Sequence, residues 1–67
     1  MKDTLNFEKA LTTEEAAQIL GVKARTLVEL RFQKQGPSFV KIGRLIRYRY
    51  RDLMKYLDQN TVPPDAA

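Results

Sequence analysis

Residues 39–52 read FVKIGRLIRYRYRD, and five of these positions are cations: Lys41, Arg44, Arg47, Arg49 and Arg51. Aliphatic and aromatic residues stand between them. Upstream, the segment KARTLVEL sets Lys23, Arg25 and Thr26 ahead of Glu29. A guanidinium is a planar fork of donors that fits a phosphate or a pair of acceptors. An ammonium is a point charge, a threonine hydroxyl donates and accepts, and a carboxylate only accepts. Together such groups can neutralise and orient an anion. They supply little covalent chemistry: the chain has no Cys and no His, so a thiolate nucleophile, an imidazole base and the usual zinc ligands are missing. An enzyme is not expected, nor is a catalytic residue, a metal or a cofactor.

The charge is unevenly spread. Between Lys23 and Lys55 there are ten Lys or Arg and two acids, a net +8, while the remainder has two bases and six acids, a net −4. A basic centre between acidic flanks is the electrostatic footprint of a nucleic-acid binder; a soluble surface that happens to be basic is the plainer alternative. With 67 residues the chain holds one small domain with a thin core. No apolar run reaches membrane-spanning length, and MKDTLNFEKA lacks the apolar stretch of a signal peptide. The cytoplasm is the expected compartment, with no membrane partner.

These side chains need elements to hold them. LTTEEAAQILG opens with a helix start: Thr12 and Glu15 form a capping box, Leu11 can staple onto Ala16, and Glu14 and Glu15 suit the positive end of the helix. Ala16, Ile19 and Leu20 give its apolar stripe, and Gly21 ends it. KARTLVELRFQK makes a second helix, with Leu27, Leu30 and Lys34 on one side, Ala24 and Arg31 flanking, and Arg25, Glu29 and Phe32 turned away. Only Gly21, Val22 and Lys23 separate the two, which is a helix-turn-helix connection, with Val22 expected to plug the gap. Gly36-Pro37 stops the second helix. A last helix runs from about residue 49 to 60, with Leu53, Tyr56 and Leu57 as its stripe and Met54 beside it. Residues 1–10 read as a flexible arm, 11–60 as the domain, and 61–67, with two prolines, as a disordered tail.

Two strands must flank Gly43. A loop of Gly43-Arg44 sets Ile42 opposite Leu45 and Val40 opposite Arg47, and glycine first in the loop suits a type II′ turn. A loop of Gly43-Arg44-Leu45 sets Ile42 opposite Ile46 and Val40 opposite Tyr48. The second register is expected, because it puts Val40, Ile42, Ile46 and Tyr48 on one face and Lys41 and Arg47 on the other. One face would then close the core and the other would meet a polyanion.

In order and spacing these pieces resemble the winged helix-turn-helix of the excisionase and MerR-related families. LTTEEAAQILGV with Arg25-Thr26-Leu27 resembles the family's two opening helices, GPSFVKIGRLIRY its wing, and RDLMKYL its closing helix, together covering about residues 11–58. The implied fold is a small α+β, mostly α, winged helix-turn-helix with three helices and a two-stranded β-hairpin wing. Three positions depart from the pattern. Lys23 stands where a Ser commonly caps the second helix, Leu30 where an aromatic is frequent, and Leu45 where a basic residue usually follows Gly43-Arg44.

The resemblance implies that the second helix enters the major groove, with Lys23, Arg25, Thr26 and Glu29 toward DNA. Arg25 can meet phosphate or a guanine edge, and Thr26 phosphate or a thymine methyl. Glu29 can accept from cytosine or orient Arg25; equally, Arg25 and Glu29 can form an ordinary helix-surface pair. Lys41, Arg44, Arg47 and Arg49 would neutralise backbone, with Arg44 placed for the minor groove. Leu45 can wedge beside it or fold back onto Phe39. Thr13 and the amides at the first helix's start can hold a phosphate, although capping by Thr12 accounts for them without DNA. Tyr48 is expected in the core and Tyr50 at its boundary.

The implied function is sequence-specific binding of double-stranded DNA as an excisionase, a recombination directionality factor of a phage or mobile element, or as a small transcriptional regulator. Implied further partners are an integrase or recombinase, or more copies of the chain on adjacent sites, in the nucleoid of a bacterial or phage-infected cell. The competing readings are a protein-interaction or DNA-packaging accessory subunit and an RNA binder using Tyr48 and Tyr50. The DNA reading requires the cations of the second helix and of the hairpin to emerge on a common side.

Overall fold

A computed structural model of the chain describes residues 10–66. The first strand, β1, is Ala10–Leu11. Helices α1 (Thr13–Leu20) and α2 (Ala24–Phe32) follow, then strands β2 (Val40–Ile42) and β3 (Leu45–Arg49), and finally helix α3 (Tyr50–Gln59). The strands form one antiparallel sheet in the order β1-β3-β2. This is the expected winged helix-turn-helix, with one correction: the wing is a three-stranded sheet, not a bare hairpin. The arm expected over residues 1–10 falls outside the described residues except for Ala10, which pairs with Arg49. In the segment read as a tail, Pro64–Ala66 form a short 3-10 turn, exposed like the rest of residues 61–66.

The capping box forms as its spacing requires. The Glu15 amide donates to Thr12 Oγ1 at 3.1 Å, and the Thr12 amide donates to Glu15 Oε1 at 2.9 Å. At the other end of α1, the Gly21 and Val22 amides return to the Gln18 and Ala17 carbonyls, which lets the chain reverse within three residues. Val22 does not plug the gap. It is 40% exposed, and its backbone rather than its side chain closes the turn. Lys23 stands at the N-cap of α2 and makes no side-chain cap, since an ammonium has no acceptor.

The core is small: Ala16, Ala17, Leu27, Tyr48 and Leu53 are at most 2% exposed, and Leu11, Leu20, Ala24, Ile46 and Met54 pack around them. On α1 the buried stripe runs through Thr13, Ala16, Ala17 and Leu20, so Ile19 lies to one side, 39% exposed. Two adjacent alanines let α2 and α3 approach α1 closely. On α3 Leu53 takes the centre, Met54 and Tyr56 are half-buried, and Leu57 is largely exposed.

The wing takes the shorter loop. Val40 pairs with Arg47, Lys41 with Ile46, and Ile42 with Leu45, which leaves Gly43-Arg44 as the turn. Gly43 has φ +60° and Arg44 has no positive φ, the signature of a type II′ turn. The expected three-residue loop is therefore corrected, and so is the sorting of faces. Cross-strand partners share a face, so Lys41 lies with Ile46 and Tyr48, while Arg47 lies with Val40, Ile42 and Leu45. Burial pins register only where a face is covered. Here β1 and the helices cover the base of the ribbon, at Tyr48. The tip projects beyond them, with Ile42 and Leu45 more than half exposed, and there the turn decides.

β3 passes directly into α3, with Arg49 as the N-cap residue. Arg49 Nε donates to Asp52 Oδ2 at 3.0 Å across this joint. Among the described residues no helix is long and apolar enough to cross a membrane.

Candidate nucleic-acid interface

The first turns of α2 hold Lys23, Arg25, Thr26 and Glu29, all exposed. They are held there from below: Leu27 is fully buried and Leu30 half-buried, and the 100° step between helix residues then turns Arg25, Thr26 and Glu29 outward. Arg25 and Glu29 are one helical turn apart, yet among the described residues neither makes a side-chain hydrogen bond or ion pair. With Lys23 unable to cap, the leading amides of α2 also keep no side-chain partner, and the positive end of the helix dipole lies beside the exposed cations.

The wing cations divide into three environments. Arg44 is exposed at the tip of the turn. Lys41 lies on the face of the ribbon that looks toward α2, and with Arg31, Phe32, Lys34, Phe39 and Ile46 it lines an open groove between the end of α2 and the wing. Among the described residues no acidic side chain lines this groove. Arg47 and Arg49 lie on the opposite face. Arg47 Nη1 donates to the Ile46 carbonyl at 2.8 Å, which folds its side chain along its own strand, and Arg49 is engaged by Asp52. Lys41 and Arg47 thus do not share a face, as the longer loop would have required. Leu45 is 53% exposed opposite Ile42, on the face away from Phe39, so it does not fold back.

Thr13 is drawn into an arrangement centred on Arg31, a residue that sequence reasoning placed only on the flank of α2. Arg31 Nη1 donates to Tyr48 Oη at 3.0 Å and reaches Thr13 Oγ1 at 3.5 Å, the long limit for such a bond. Its guanidinium carbon lies 5.8 Å from the centroid of the Phe39 ring, and the Phe39 and Tyr48 rings are 6.0 Å apart at 55°. One signal could have exposed this. Tyr48 was expected in the core, a buried tyrosine hydroxyl needs a partner, and Arg31 follows buried Leu27 by one helical turn on the adjacent side. Tyr50 is half-buried at the start of α3.

The arrangement offers a row of unpaired donors at the start of α2, a cationic tip on the wing, and a cationic groove between the end of α2 and the wing. Such a surface suits a polyanion with a repeating backbone. A family model described as a helix-turn-helix domain matches residues 10–61. A comparison with curated proteins found no match.

Proposed function

Because the chain belongs to the helix-turn-helix domain family, we propose that it binds duplex DNA, with α2 in the major groove and the wing tip on the backbone and adjacent minor groove. One observation carries the reading: Lys23, Arg25, Thr26 and Glu29 stand exposed at the start of α2, and none is engaged by another side chain of the described residues. Polar groups left unpaired in this way are available to base edges and phosphates. Arg25 reads a guanine edge or a phosphate, Thr26 supports it, and Glu29 orients Arg25 or accepts from cytosine. Lys41 and Arg44 supply backbone affinity with little sequence information.

Within that class we favour an excisionase-type factor acting in the cytoplasm with a recombinase. The resemblance of the wing and closing helix supports this. A small transcriptional regulator uses the same surface. Selection from random duplexes followed by footprinting separates them: closely phased repeats indicate an excisionase, one palindrome a dimeric regulator. Arg25→Ala should weaken binding and lower the salt slope by about 0.9 if the contact is to phosphate. Affinity and slope both unchanged in Arg25→Ala and Arg44→Ala would overturn the proposal.

A second reading, an accessory subunit that docks a protein, has an observation of its own. Phe32 is 79% exposed, and Ile42 and Leu45 are bare at the wing tip. It predicts tight protein capture without nucleic acid, abolished by Leu45→Asp or Phe32→Ser.

A further inference from the structure

We infer that Arg31 is a positioning residue: through Tyr48 it locks the reading helix to the central strand of the wing, and so sets where α2 and the wing tip stand relative to each other. The inference rests on the DNA-binding reading for its consequence, but its geometry is a property of the free protein.

Arg31 sits in the last turn of α2, where a cation is also favoured by the helix dipole. Its guanidinium meets three other parts of the fold. It donates to the hydroxyl of fully buried Tyr48 on β3, approaches the hydroxyl of Thr13 at the start of α1, and lies over Phe39 at the approach to β2. Of these, the 3.0 Å bond to Tyr48 is the strong one, and the 3.5 Å approach to Thr13 only steers. β3 is the central strand, bonded on one side to β1 and on the other to β2. A grip on Tyr48 is therefore a grip on the whole wing.

Arg31 is six residues beyond Arg25, about 9 Å along the helix axis. Leu27, with Ala24 packed beside it, holds the first half of α2 to the core, and Arg31 ties its last turn to β3. Apolar packing fixes which side of α2 is buried, and the Arg31 bond fixes the angle at which the helix meets the wing. Without Arg31 that angle can shift, and the exposed start of α2 loses its register with Arg44. Loss of the bond should thus weaken DNA binding even where no phosphate contact is lost.

Two variants test this. Tyr48→Phe keeps the ring in the core and every charge, and removes only the hydroxyl that accepts from Arg31. Arg31→Met keeps an unbranched stem and removes the fork. Duplex affinity is measured against salt for wild type, both variants and the double variant, at a temperature where all are folded. Expected is a loss of about tenfold in each, no further loss in the double variant, and an unchanged salt slope for Tyr48→Phe. Arg31→Lys, which keeps the charge without the fork, should not restore affinity. The positioning role is overturned if Tyr48→Phe binds like wild type, if the two losses add, or if Arg31→Met lowers the slope by about one unit, the mark of a direct phosphate contact. Backbone amide shifts in the free protein distinguish failure of this role from failure of the DNA reading. Tyr48→Phe should move amides of Thr13 and of residues 39–42 together with those at the end of α2, whether or not any duplex is bound. If only the neighbours of residue 48 in sequence respond, the grip does not exist.

Discussion

Removing the Thr12 hydroxyl tests whether the start of α1 is held as the structure shows. Thr12→Ala deletes the oxygen that accepts from the Glu15 amide at 3.1 Å, and leaves that amide with only solvent. The reverse bond, from the Thr12 backbone amide to the Glu15 side-chain carboxylate, does not use the Thr12 side chain and is kept. The expected loss is therefore that of one N-cap, about 1 kcal/mol. For 67 residues the whole stability is about 3–10 kcal/mol, so one cap is a tenth to a third of it. Around the midpoint this corresponds to a fall of about 4–8 °C. Thermal unfolding followed by far-ultraviolet dichroism measures it. Thr12→Ser retains an oxygen at the same place and should recover most of the loss. Thr13→Ala, one residue on, gives up only the long contact to Arg31 and should lose less. An unchanged midpoint in Thr12→Ala, or an equal fall in the Ala and Ser variants, would refute the capping argument.

Leu53→Ala opens a void in a core with five fully buried residues and should cost about 3 kcal/mol, read from urea unfolding. Gly36→Ala should destabilise more than Gly43→Ala. Both have positive φ, but a Cβ at Gly36 would meet Leu30 Cβ at 3.1 Å, whereas at Gly43 it meets open space; parallel denaturation curves compare them. Arg44→Ala should lower the salt slope of duplex binding by about 0.9, while Arg49→Ala should lower it less and cost some stability, because Asp52 already holds that guanidinium.

What the sequence makes legible follows the range of the interactions. The capping box, the three-residue turn after α1 and the limits of α3 depend on neighbours within a few positions, and their residue types announce them. The register of the wing does not. Gly43-Arg44 and Gly43-Arg44-Leu45 are both acceptable loops, and at a tip that the helices and β1 leave uncovered the positive φ of Gly43 in a two-residue turn makes the choice. β1 escapes notice because two residues carry no period. Within the candidate site, the exposed face of α2 was legible, since Leu27 and Leu30 fix which side is buried. The division of Lys41 from Arg47 follows from the register and was lost with it. Arg31 was legible only to a reader who asked what satisfies a buried phenol.

The joint between β3 and α3 has a mechanical consequence. No residue intervenes between Arg49, the end of the ribbon, and Tyr50, the first of the helix, and the clasp from Arg49 to Asp52 stiffens the corner. A ribbon connected in this way has no slack. A load on its tip is passed along to α3, whose buried Leu53 seats that helix in the core.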